Sequence, residues 1–459
     1  MPRMRIHLKC GSRRIIRPKR RKLLITIMKE LKTGELVQLT DGKSIKVIKE
    51  LGRGGQGIVY LVELAGKKMA LKWYLRPGSD SFYQNLESNI NAGAPSDAFL
   101  WPKHLTRKID GYYGYVMDLR PDGYYEFGHY LIPHLPKGQK FKSFKAIANA
   151  ALKICEGFKY LHLKGYSYQD LNDGNFFINP TTGDVFICDN DNIMAQGSYS
   201  GIAGKAHYMA PEVVAGGKPD KYSDRLSLSI ILFRMFFLDH PFDGERVSKC
   251  PCLTDDLDKK FFGSEATFIF DPTKTNNKPV KGIHTNSIRR WPVFPQFFKD
   301  AFIEEFSEEK LQRNKNSRKL EKQWEDILLK LRDNIITCPC CGEETLIDGE
   351  SGKFSCVNCG KTFHIGKTIK FPNRTFYLTE GTTLFFDTDN IPDAKVEKNP
   401  NDGMIMVKNM SDAKWMAETP SGRLKEVAKG ESFPCIPGIK ITITVTTNGT
   451  HNRITGIIN

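Results

Sequence analysis

The chain of 459 residues contains no run of about 18 or more apolar residues, the length a helix needs to cross a bilayer. Its apolar stretch 23–28 is too short for a span or for the core of a signal peptide, so a soluble protein of the cytoplasm is expected. Acidic residues are missing from residues 1–27, which hold ten Lys or Arg; without that arm the net charge of +16 falls to +6. The basic excess is therefore local, which weakens any reading of the whole chain as a nucleic-acid binder. The arm, taken as 1–35, lacks periodicity and reads as disordered or, with a second methionine at Met28, as a misassigned start. A grip on phosphates or an anionic membrane through Arg13, Arg14, Arg17 and Lys19-Arg20-Arg21-Lys22 is the second reading. Beyond the arm the composition is that of a globular protein, 40% hydrophobic and 26% charged, and the length implies roughly two to four domains.

From about residue 36 the pattern becomes β-rich segments broken by glycine, at 45–51, 58–64 and 68–73. Between the first two lies Gly52-Arg53-Gly54-Gly55-Gln56-Gly57-Ile58-Val59, and Lys72 follows Gly57 by fifteen residues. Such a loop alone reads as a plain hairpin turn. Glu87, in the amphipathic stretch 81–90, is the candidate carboxylate for Lys72, against the alternative of a solvent-facing glutamate. A helical stretch over 145–164 has apolar residues at Ile147, Ala151, Ile154, Phe158 and Leu161 and leads to Asp170 and Asn175 in Tyr168-Gln169-Asp170-Leu171-Asn172-Asp173-Gly174-Asn175. Strand-like runs at 176–178 and 185–188 set Asp189 beside Asn175. Ala210-Pro211-Glu212, Asp224 and Arg318 follow.

Taken together, residues 36–332 resemble the eukaryotic-type protein kinases. The resemblance implies a bilobal α+β fold, with a β-rich N-lobe and an α-rich C-lobe. It also implies ATP phosphates held by Gly52, Gly54, Gly55, Gly57 and Lys72, Val59 over the adenine, and Glu87 orienting Lys72. Asp170 would act on the substrate hydroxyl, Asn172 would hydrogen-bond the γ-phosphate, and Asn175 and Asp189 would hold Mg²⁺ (or Mn²⁺). Glu212 and Arg318 would form a structural ion pair. The sequence departs from the pattern in three places: Tyr168-Gln169-Asp170 replaces His-Arg-Asp, Asn172 replaces a lysine, and Asp189-Asn190-Asp191 replaces Asp-Phe-Gly. Without an arginine at Gln169, activity should not depend on loop phosphorylation. Asn172 cannot neutralise a phosphate, so slow turnover or a substitute cation is expected, and Asn190 removes an apolar plug. The combination, with His240-Pro241-Phe242-x-Gly244, resembles an atypical bacterial group encoded with metal-dependent phosphatases and von Willebrand A-type proteins, which implies both as partners.

Cys338, Cys341, Cys356 and Cys359 give C-x2-C-x14-C-x2-C over 338–361, the spacing of a structural zinc ribbon. Disulfides are the weaker reading in a reducing compartment. Cys340 is treated as a spare thiol, and Cys250 and Cys252 as incidental. The ribbon lacks a dense basic and aromatic face, which favours a structural or protein-docking role over nucleic acid. From 370 to 459, short strand-like runs at regular spacing predict a small β-sandwich, with a weak resemblance to a degenerate forkhead-associated domain that lacks phosphate-gripping arginines. The leading function is a serine/threonine protein kinase acting on a protein substrate. A nucleotide-binding pseudokinase scaffold, working through its ribbon and β domain, is the alternative, and a small-molecule kinase a distant third.

Overall fold

Alternating burial and exposure in the first strands builds a sheet with one covered face. The computed structural model describes residues 30–459 except 203, 349–352 and 448–449, so most of the basic arm lies outside the described residues. Strands β1 (Leu36–Gln38), β2 (Ser44–Arg53), β3 (Gly57–Leu64), β4 (Lys67–Tyr74), β5 (His104–Leu105) and β6 (Gly114–Asp118) form one antiparallel sheet in the order β1-β2-β3-β4-β6-β5. The register pairs Val59 with Lys72. This sets the strand lysine directly beside the strand that leaves the glycine loop.

Helix α1 (Asp80–Ala92) is capped by Ser79, whose Oγ accepts from Phe82 N at 3.2 Å, and it ends at Gly93 with φ 71°. It packs Leu86 into an aromatic cluster with Tyr74, Tyr113 and Tyr115. The C-lobe is built on the helices Phe144–Leu163, Lys221–Phe237 and Glu321–Asp333, whose apolar faces share one large core with Phe176, Phe298 and Trp324. Ser143 and Asp220 cap the first two.

The described chain passes from the C-lobe to the ribbon without an exposed linker. Ile335–Thr337 pairs with Glu344–Leu346, and Ile335 and Leu346 are buried in the same core as Trp324 and Leu331. The second ribbon hairpin pairs Lys353–Ser355 with Thr362–His364. Beyond it, a six-stranded and a four-stranded antiparallel sheet close over a core that includes Ile369, Phe376, Val396, Val407, Trp415, Ile441 and Ile458. The expected fold class thus holds: a bilobal α+β unit, a ribbon and an all-β domain.

Buried charge joins these parts. Glu344 Oε2 accepts from Phe144 N at 2.5 Å and Lys145 N at 3.3 Å, so a ribbon carboxylate caps the N-terminus of a C-lobe helix, where the helix dipole favours it. Lys145 Nζ donates to the carbonyl of Thr383 at 2.7 Å, Arg332 to that of Asp389 at 2.8 Å, and Arg374 meets Asp333 at 2.7 and 2.8 Å.

Candidate active site

The glycine loop is a tight hairpin, closed by Gly54 N donating to Gly57 O at 2.9 Å. A Cβ on Gly57 would stand 2.6 Å from Trp73 O, so that glycine is required by the approach of β4. At Gly52 and Gly55 a Cβ would meet nothing within 4 Å. Their smallness answers to no neighbour within the protein. Val59 is half-buried against the cluster that also holds Leu100 and Cys188.

Lys72 lies almost wholly buried, and its Nζ stands 2.7 Å from Asp191 Oδ2 and 3.2 Å from Asp189 Oδ1. Burial opposes its charge, but Asp191 first, then Tyr115 and Asp189, outweigh burial and hold its pKa well above the usual lysine range. Tyr74 donates to the same Asp191 oxygen at 2.6 Å. Glu87 does not orient Lys72 as expected. It lies exposed on the outer face of α1, while the inner face presents Leu86 and the amides Asn85 and Asn89, which donate to Ile193 O at 3.0 and 3.1 Å. The amphipathic pattern locates the helix but does not fix its rotation.

The catalytic loop hangs from Asp224, whose carboxylate accepts from Tyr168 N at 2.6 Å and Gln169 N at 3.0 Å. Tyr168 is fully buried against Phe158 and donates through its hydroxyl to Cys188 O, next to Asp189. Gln169 has φ 69°, outside the range most residues adopt, and the two Asp224 bonds sustain it. Its amide donates to Ser198 O at 2.7 Å and accepts from Ser200 N at 3.0 Å. A neutral side chain thus holds the activation segment by its backbone.

Asp170 is half-buried; burial raises its pKa, a hydrogen bond from Asn172 opposes that rise, and Asp189 adds to it. Asn172 is engaged within the loop itself. Its Nδ2 donates to Asp170 O at 3.0 Å and Oδ1 at 3.2 Å, and its Oδ1 accepts from Gly174 N at 2.9 Å. Asn175 is held in turn, its Oδ1 accepting from Asn172 N at 2.6 Å, and its carbonyl accepts from Cys188 N at 2.8 Å, one residue before Asp189. Asn190 is buried as a polar peg, donating to Leu100 O at 2.9 Å and Ile187 O at 3.0 Å. No motif marks Lys205, yet its Nζ lies 2.5 Å from Asp173 Oδ1 and its backbone N–H reaches the Asp170 carboxylate. Motif spacing likewise gives no sign that Asp191 is the partner of Lys72.

Two further constellations are assembled. Arg318, buried, binds Glu212 through both guanidinium nitrogens at 2.7 and 2.8 Å. The Sγ atoms of Cys338, Cys341, Cys356 and Cys359 lie within 4.8 Å of one another, with pairs at 3.7 and 4.0 Å. Those separations are too long for a disulfide and match the edge of a tetrahedron of about 3.8 Å that a Zn–S bond of about 2.3 Å produces. Gly342 and Gly360, at φ 76° and 70°, make the knuckle turns, and Cys340 is exposed outside the cluster.

Protein kinase C delta type of Mus musculus is 30% identical over 207 residues, covering 43% of this chain and 30% of that protein. Serine/threonine-protein kinase Pkn1 of Myxococcus xanthus is 25% identical over 220 residues, covering 44% and 30%. The chain therefore spans under a third of the length of these curated relatives. A solved structure of vaccinia related kinase 3 is similar over 66% of this chain and 91% of its own, at 15% identity and a TM-score of 0.46. Among the described residues, no helix is long and apolar enough to cross a membrane. The family described as protein kinase domain matches residues 45–318, more than half of the sequence, and the chain belongs to it.

Proposed function

We propose that the chain is an ATP- and Mg²⁺-dependent kinase that phosphorylates Ser or Thr hydroxyls of a protein substrate. One observation carries this reading: Lys72 meets Asp189 at 3.2 Å, Asn175 holds the neighbouring Cys188 by its backbone, and Asp170 lies close enough to Asp189 to feel its charge. The donor set fits the ligands. Asp189, about half exposed, and Asn175 offer hard oxygens to Mg²⁺, and Lys72 offers a cation to the α- and β-phosphates. Bound Mg²⁺–ATP supplies the transferable phosphoryl group and neutralises charge on the phosphates. Asp170 accepts the hydroxyl proton as the substrate oxygen bonds to the γ-phosphorus and the bond to the bridging oxygen breaks, releasing ADP. Asn172 stiffens this aspartate.

A structural zinc ion in the four-cysteine cluster, a cytoplasmic location in a bacterial cell, and a cognate phosphatase and a von Willebrand A-type protein as partners belong to the same proposal. The last two rest on the sequence resemblance alone. A second reading, a nucleotide-binding pseudokinase scaffold, is favoured by the engagement of Asn172 with the loop, which leaves the γ-phosphate side without that donor. A radiolabelled-phosphate assay of the wild type beside Asp170→Ala separates them. The kinase reading expects a loss on the order of 10²-fold or more, and equal signal from both proteins would sink it.

A further inference from the structure

We infer that Asp191 is the positioning residue for Lys72, doing from the metal-binding turn what a helix glutamate does in the kinase pattern. The inference deepens the proposed function and rests on it for its kinetic arm. Three observations support it.

First, α1 has no carboxylate to offer. Its acids are Asp80, which is exposed and paired with Lys108, and Glu87, which faces solvent, while Leu86 and Asn89 occupy the buried face. Second, Asp191 is fully buried and gives one oxygen to both Lys72 Nζ at 2.7 Å and Tyr74 OH at 2.6 Å. A carboxylate inside an aromatic shell of Tyr74, Tyr113 and Tyr115 is costly to bury, and the lysine cation is what makes it tolerable. Third, its Oδ1 has no hydrogen-bond partner among the described residues, so the turn is not shaped merely to satisfy this side chain.

The consequence is mechanical. Asp191 lies in the one-turn helix Asn190–Asn192 that begins immediately after Asp189, and Asn190 pins that turn to Leu100 O and Ile187 O. Lys72 is therefore aligned by the same turn that presents Asp189. The carboxylate that pairs with Lys72 is therefore not carried by α1.

The test compares Asp191→Asn with Glu87→Gln in steady-state kinetics and then examines a Lys72→Met, Asp191→Asn double-variant cycle by thermal melting. Expected is a fall in kcat on the order of 10²-fold for Asp191→Asn, with a much smaller change in KM for ATP, and a loss for Glu87→Gln at least about tenfold less. Comparable losses from the two variants, or full kcat in Asp191→Asn, overturn the proposal. In the melting cycle the double variant should be more stable than the sum of the two single losses predicts, because each single change strands a buried charge that the double change removes. Strict additivity overturns the pairing. Recovery of folded protein in the double variant is expected even where Asp191→Asn alone does not purify, and a double variant no better folded overturns it too. The cycle requires no activity, so an inactive wild type would refute the kinase reading while the cycle still judged the pair.

Discussion

Buried charge gathers in the cleft around Lys72 and at the seam between the C-lobe and the C-terminal modules, and the two differ in what they leave unpaired. In the cleft, Asp191 Oδ1 and the hydroxyls of Tyr113 and Tyr115 find no partner among the described residues. At the seam, Arg374 divides its donors between Asp333 and the carbonyls of Phe385 and Phe386, and Arg332 binds Asn149 and the carbonyls of Asp387 and Asp389, with only its Nε left over. A nearly satisfied network specifies how parts fit together, whereas a half-satisfied one costs stability and persists where a ligand uses it. The seam is architecture and the cleft is equipment. The ribbon and β domain are therefore extensions of the C-lobe rather than modules on a tether.

The largest effect should come from the four-cysteine cluster, which tests how far the seam depends on the ribbon. Structural zinc binding is worth about 10–16 kcal/mol in zinc-finger peptides, so Cys338→Ser with Cys356→Ser should abolish one equivalent of zinc, read by a colorimetric release assay. Because Ile335 and Leu346 lie in the C-lobe core, the kinase melting transition should fall as well. An unchanged kinase transition would mean that the ribbon is independent after all.

Next is the seam itself. Arg374→Met strands Asp333, which burial already pushes up in pKa, and should cost about 3–5 kcal/mol by denaturant melting. Adding Asp333→Asn should return part of it. Loss of kcat without loss of stability in Arg374→Met would break the division of roles drawn above.

A third buried cluster, under the catalytic loop, gives the comparison a pH axis. Burial would raise the Glu321 pKa, but His162 and Arg225 outweigh it and hold it at about 2. This depressed carboxylate contributes stability above its unfolded value near 4.5, on the order of 3 kcal/mol, which is lost as pH falls from there toward 2. For His162, burial lowers the pKa while Asp224 and Glu321 raise it further, so its share is present below about 6.5 and lost as pH rises through the folded value. Glu321→Gln should flatten the acid limb of a melting-temperature profile. An unaltered acid limb would contradict the assignment.

What the sequence reveals follows the same division. The placement of Lys72 against Asp189, of Asn175 against the residue before Asp189, of Glu212 against Arg318 and of the four cysteines together is legible because each lies at a landmark whose spacing reflects a fixed local backbone. Glu87 misleads because thirteen residues of helix with two acids do not define a rotation. Asp191 and Lys145 were invisible for another reason: their partners lie 119 and 238 residues away, with no pattern linking them. In the β domain, Ala394–Lys398 is short and carries three Lys or Glu residues that strands disfavour, and Ser432–Pro434 contains proline, so neither reads as a strand until its neighbours supply the ladder.

The smallest expected effect concerns Gln169, and it sets the cleft apart from kinases that need an arginine there. An arginine at this position would leave a buried cation when the activation segment carries no phosphate, and phosphorylation would be needed to neutralise it. Gln169 carries no charge, and its amide grips Ser198 O and Ser200 N, two neutral bonds worth about 1 kcal/mol each. The segment is already held, so phosphatase treatment should leave kcat unchanged in a radiolabel assay, and a large loss would refute this account. Gln169→Ala should loosen the segment and raise its proteolysis without altering that insensitivity, because what it removes is a pair of backbone bonds and not a receptor for phosphate.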